Sequence, residues 1–166
     1  NYPVVNAAEF QPTTTVVSGE LQSTPDAEFE LDFYLSPAAD PSGYGEGKYH
    51  LGSHWVTTNA AGLATFSDVS FTNPLIKGDS IRVITATATD GQGNTSEFSA
   101  AFDLEALALF GTATADSFDV TGDSVEVSFA GQSHTFNLSG GLYLLGGDGF
   151  DAYTINFGSD LPAHIV

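Results

Sequence analysis

Along the chain, Phe29, Leu31, Phe33 and Leu35 alternate with Glu30, Asp32 and Tyr34. A period of two sets the large apolar groups on one face of a half-buried strand. Shorter runs of the same kind predict further strands over Val4–Ala8, Thr14–Leu21, Leu51–Thr57, Leu63–Phe71, Ile81–Thr89 and Glu97–Phe102. Turn residues punctuate them: Asn59-Ala60-Ala61-Gly62 separates two strands, and Asp90-Gly91-Gln92-Gly93-Asn94 separates the last two. Strands of this length, joined by turns and without helical spacing, predict two antiparallel sheets packed as an immunoglobulin-like sandwich over residues 1–103. The Pro37–Gly47 stretch is too rich in Gly and Pro to continue a strand and is expected to project from one end.

Beyond residue 103 the pattern changes. Leu104–Phe110 favours helix by residue type, but seven residues ending at Gly111 make barely two turns, so it reads as a linker or as the first strand of a second region, 104–166. There Gly111-Thr-Ala-Thr-Ala-Asp116-Ser-Phe118-Asp-Val120 aligns with Gly146-Gly-Asp-Gly-Phe-Asp151-Ala-Tyr153-Thr-Ile155 at an offset of 35. Repeats of this length belong to stacked arrays, in which each unit buries its apolar face only against its neighbours. The expected fold class is therefore all-β: an immunoglobulin-like antiparallel β-sandwich followed by a small, β-rich, solenoid-like repeat region. The chain opens at Asn1 without Met and closes on Ala163-His-Ile-Val166 without a polar cap. It reads as a processed or excised piece whose last edge continues into further repeats or docks on something.

Composition narrows the function classes. A formal net charge of −18, with only Lys48, Lys77 and Arg82 as fixed cations, excludes a basic footprint for nucleic acid or an anionic membrane surface. The absence of cysteine removes disulfides, thiolate catalysis and thiolate metal sites together. Hydrophobic residues make up 42%, so the acidity is not the signature of disorder. No apolar run reaches the roughly 20 residues that span a bilayer, which argues against membrane insertion.

Gly146-Gly-Asp148-Gly-Phe-Asp151-Ala-Tyr153-Thr154 satisfies the nonapeptide pattern G-G-x-G-x-D-x-U-x, with U a large apolar residue, and resembles the calcium-binding RTX repeat of secreted bacterial proteins. Asp148 and Asp151, with Asp160 nine residues on and Asp116 in the earlier copy, are the calcium candidates there. The simpler reading, which needs no stacked neighbours, is a plain turn capped by Asp151. Asp90, Asn94 and Glu97 offer oxygen donors at alternating spacing, as a calcium loop would, yet lack the distal bidentate Glu of an EF-hand and read more simply as turn residues. Asp40 and Glu46 suit either a cation or an ion pair with Arg82 or Lys48. Strand geometry sets His50 and His54 on one face about 13 Å apart, too far for one metal ion. Ser53 lies beside His54 without a nucleophile elbow, and with 21 acidic residues a carboxylate pair says nothing about glycoside hydrolysis. Tyr44, Tyr49 and Trp55 are candidates for stacking on sugar rings, although Trp55 reads first as a core residue.

The segments Phe33–Gly47, Leu51-Gly-Ser53, Val56-Thr-Thr58, Gly62–Phe66 and Ala86–Ser99 make residues 1–103 similar to the immunoglobulin-like domains repeated in very large extracellular proteins of planctomycetes and other environmental bacteria. Residues 110–157 resemble the degenerate RTX-type repeats beside such domains. The resemblance implies a secreted or cell-surface location, a scaffolding or adhesive task, and calcium dependence. The expectation is a non-catalytic structural module of a surface or matrix assembly, a fibre or lattice subunit whose partners are neighbouring copies or other domains of that assembly. The alternative is a carbohydrate-binding module that holds glycans through Tyr44, Tyr49 and Trp55.

Overall fold

A computed structural model describes residues 1–112, 117–121, 125–129, 132–136, 142–146, 152–156 and 163–165. Every regular element among the described residues is a strand. The chain forms two compact units, residues 1–74 with 82–104 and residues 75–81 with 105–166. The short segment 75–81 groups with the second unit.

In the first unit, β1 (Val4–Phe10), β2 (Thr14–Gln22) and β5 (Leu63–Thr72) form one sheet in the order β1-β2-β5. The second sheet runs β4-β3-β6, from β3 (Glu28–Ser36), β4 (Tyr49–Thr57) and β6 (Asp79–Asp90). All the pairings are antiparallel. Because β2 lies beside β5 and β3 beside β6, the chain crosses between sheets instead of running as a meander, as in a Greek-key β-sandwich. The alternation in β3 does what its period requires: Phe29, Leu31, Phe33 and Leu35 are all buried, and the Phe33 ring meets Phe66 and Phe71 at centroid distances of 5.5 and 5.3 Å.

The three outer strands of this unit share a feature that no hydrophobic pattern announces. Each carries a β-bulge with the extra residue on the edge strand itself: Asn6 on β1, Leu51 on β4, and one residue near Asp68 on β5. Bulges bend and twist an edge so that it no longer templates another strand. On β4 the bulge also reverses the inside–outside phase, so that Leu51 and Val56 are both buried although they are five apart. The expected strand Glu97–Phe102 is not regular. Ser96 and Ser99 instead use their hydroxyls to accept the Ala88 and Ala86 amides at 3.0 and 2.9 Å, while their own amides bond the same residues' carbonyls. The Pro37–Gly47 loop folds back rather than projecting. The Glu46 carbonyl accepts the Ser36 and Thr85 hydroxyls at 3.0 and 2.7 Å, and the Ala101 amide bonds the Gly43 carbonyl.

The chain enters the second unit along β7 (Phe102–Phe110), so Leu104–Phe110 is strand. Then follow β8 (Ser117–Thr121), β9 (Val125–Phe129), β10 (Gln132–Phe136), β11 (Leu142–Leu145), β12 (Ala152–Asn156) and β13 (Ala163–Ile165). β11 pairs in parallel with β7, Leu142 beside Leu107 and Leu145 beside Phe110. β12 pairs in parallel with β8, Ala152 beside Ser117 and Asn156 beside Thr121. Both registers equal 35 residues, the offset of the internal repeat, so residues alike in sequence are neighbours in the sheet. β13 stacks on β11 at a shorter interval, Ala163 beside Leu142. The longer passage contains the β9–β10 hairpin, which turns back antiparallel onto β8. This is solenoid-like stacking.

Gly19 tests the packing of the sandwich. A Cβ there would overlap the Val4 carbonyl and the Phe66 ring, whereas one at Gly91 would meet nothing within 4 Å. Gly19→Ala is expected to destabilise the protein by about 1–3 kcal/mol in urea unfolding, through overpacking against backbone that must shift. Gly91→Ala serves as the near-neutral control.

Candidate functional site

The face of the β4-β3-β6 sheet opposite the core collects the polar chemistry of the first unit. On β3 the residues that alternate with the buried ones are Glu28, Glu30, Asp32 and Tyr34. Register sets Glu30 between Trp55 and Thr89, Asp32 between Ser53 and Thr87, and Tyr34 between His50 and Thr85. Asp32 is the node of this face, since its Oδ1 accepts the Ser53 hydroxyl at 2.5 Å and lies 3.0 Å from His50 Nε2. Thr87, directly across from Asp32, has a buried hydroxyl without a hydrogen-bond partner among the described residues.

Ser, His and Asp therefore meet, but not as a catalytic relay. The Ser53 proton is directed to the carboxylate, whereas nucleophile activation needs an imidazole to take it. The expected placement of His50 and His54 on one face is overturned by the Leu51 bulge. His50 is exposed beside Asp32, and the ring of His54 faces Phe66 at 6.5 Å.

Trp55 is 55% exposed, so its reading as a core residue is corrected by the same bulge, which turns positions 53 and 55 outward. The sequence signal was Gly52, whose missing Cβ leaves room for the Phe71 ring. Tyr49 lies six residues before Trp55 on β4, about 20 Å along the strand, with the Lys48 amine 5.5 Å from its ring centre. Tyr44 is 47% exposed and meets Tyr2 edge-on at 5.7 Å. Trp55 and Tyr49 therefore do not form one continuous stacking surface, and Tyr44 is held by a different neighbour.

Of the calcium candidates, Asp90 and Asn94 come together in a tight turn. Asp90 Oδ1 accepts the amides of Gln92 and Asn94, both at 2.9 Å, and Oδ2 accepts the Asn94 side-chain amide at 2.9 Å. Both carboxylate oxygens thus already have N–H donors. Asp148, Asp151, Asp160 and Asp116 lie outside the described residues. Among the described residues no group of three or more His, Asp or Glu is arranged to hold a metal ion, and no helix is long and apolar enough to cross a membrane. No protein-family model and no curated protein matches the chain.

The Asp90 turn has a pH signature. Hydrogen bonds from Asn94, first its side chain and then its amide, hold the Asp90 carboxyl below its ordinary value of 3.8. A folded-state pKa below the unfolded one gives a contribution that is complete above 3.8 and is lost as pH falls through the folded value. Asp90→Ala is therefore expected to be less stable than the parent in urea unfolding at pH 6, with a gap that narrows below pH 3.8. A gap that stays constant with pH would show that the turn does not depend on the ionised carboxylate.

Proposed function

We propose that this chain is a non-catalytic extracellular module of a surface or matrix assembly, in which the sandwich is a spacer and the repeat unit is the part that joins to others. The observation that carries this reading is the identity between the repeat offset and the register of both parallel pairs, β7 with β11 and β8 with β12. A stack of like strands is extended by adding another, and this is the way assemblies built from repeats grow. The resemblance of residues 1–103 to immunoglobulin-like domains of large extracellular bacterial proteins supports the location. Calcium enters as a counter-ion. At −18 per chain, approaching copies repel over about 8 Å at physiological ionic strength, and divalent ions held at Asp148 and Asp151 would relieve that repulsion.

Two measurements test the reading. Light scattering at rising protein concentration in calcium should show growing mass, and a strict monomer throughout would contradict the assembly. Thermal unfolding in EDTA and then across a calcium titration should show a saturable rise in Tm that is lost in Asp151→Ala, because a cation bound only to the folded state must stabilise it. An unchanged Tm at millimolar calcium would remove calcium from the account.

A second reading, glycan binding, is favoured by one observation: Trp55 presents its indole beside Glu30 and next to the Asp32 node. An exposed ring stacks on a pyranose while carboxylates accept its hydroxyls. Trp55→Ala should change stability by no more than about 0.5 kcal/mol, since the residue lies outside the core, yet abolish retention on immobilised polysaccharide. Equal retention of parent and variant would remove this reading.

A further inference from the structure

The four-stranded sheet of the second unit has the order β10-β9-β8-β12, so β10 and β12 are its outer strands. β12 is parallel to β8, β9 is antiparallel to β8, and β10 is antiparallel to β9. It follows that β10 and β12 run in the same direction at opposite edges. Two copies related by simple translation therefore bring β12 of one beside β10 of the next as a parallel pair, the kind of pairing β12 already makes with β8.

The two edges also match in length and chemistry. Each is five residues, Gln132-Ser-His-Thr-Phe136 and Ala152-Tyr-Thr-Ile-Asn156, and neither contains an acidic residue, Lys, Arg or Pro. Both ladders run without a bulge, whereas every outer strand of the sandwich carries one. Natural sheets blunt their edges with bulges, charges or prolines, and among the described residues these two strands have none of the three. In a chain of net charge −18, two neutral edges are where a second copy meets least repulsion.

We infer that the second unit assembles head to tail, β12 of one copy pairing in parallel with β10 of another, to give an open-ended filament; this inference rests on the assembly reading above. The alternation of the sheet fixes the register. Phe118, Val120, Val127, Tyr153 and Ile155 share one row set, with Asp119, Ser128, Ser133, Thr135 and Thr154 in the other. Continuity of the rows across the new pair sets Tyr153 beside Gln132 and Ile155 beside His134. A heterologous contact of this kind does not close on itself unless its rotation happens to complete a ring, and sheet twist winds it into a helix.

A lysine at a mid-edge position in the polar row blocks addition because pairing would strip its ammonium of water with no charge partner across the pair. Thr154→Lys closes the β12 edge and Thr135→Lys closes the β10 edge. The parent, followed by light scattering and sedimentation, should grow with concentration, and each variant alone should stay at the monomer mass of 17.3 kDa. An equal mixture of the two variants should stop at twice that mass, because one open β12 edge then meets one open β10 edge. Circular dichroism matching the parent establishes that each variant folds. If either variant unfolds, gain of amide protection at β10 and β12 of the concentrated parent takes its place. Parent growth with both variants still growing, or discrete dimers formed by one variant alone, overturns this pairing while leaving assembly standing. A parent that remains monomeric overturns both.

Discussion

An edge strand exposes a row of backbone N–H and C=O groups that must find partners in water or in another chain, and the architecture of this protein is organised around how each edge meets that requirement. In the sandwich the outer strands β1, β4 and β5 each hold one extra residue, which breaks the ladder and turns the edge away from a flat partner. In the repeat unit the β7–β11 and β8–β12 ladders are continuous and parallel, and their spacing repeats with the sequence. The outer strands of the sandwich interrupt their ladders, and the parallel pairs of the repeat unit do not.

Much of the fold was legible from the sequence because it follows from alternation. The apolar positions of β3 lie on one face and are all buried, and the turn at Asp90–Asn94 is closed by the side chains its residues suggested. The offset of 35 was legible too, and its meaning became concrete only as a register: Phe118 and Tyr153 are alike because they are neighbours. What the sequence did not disclose was phase. A single inserted residue on β4 reverses inside and outside, sending Trp55 to solvent and separating His50 from His54. Hydrophobic periodicity assumes an unbroken strand, and Leu51-Gly52 carried only a weak sign that this one is broken.

The segment after β6 failed for a related reason. Ser96 and Ser99 complete the bonding of Ala88 and Ala86 through their hydroxyls, so the backbone there satisfies β6 without being a strand. The candidate site shows the same economy of side chains. Asp32 gathers Ser53 and His50 on a sheet face whose register decides which residues meet, not their order in the chain. Nothing in the spacing of 32, 50 and 53 announces that contact, because it depends on the antiparallel pairing of β3 with β4. The exposed Trp55 belongs to that face, across from Glu30.

The central claim is that the sandwich edges are closed to strand addition and the repeat-unit edges are open. Residue-resolved amide hydrogen exchange, compared between dilute and concentrated protein, addresses it most directly. The account predicts that slowed exchange on concentration appears in β10 and β12 and is absent from β1, β4 and β5. Slowed exchange in the bulged strands, or in none of the five, would contradict it.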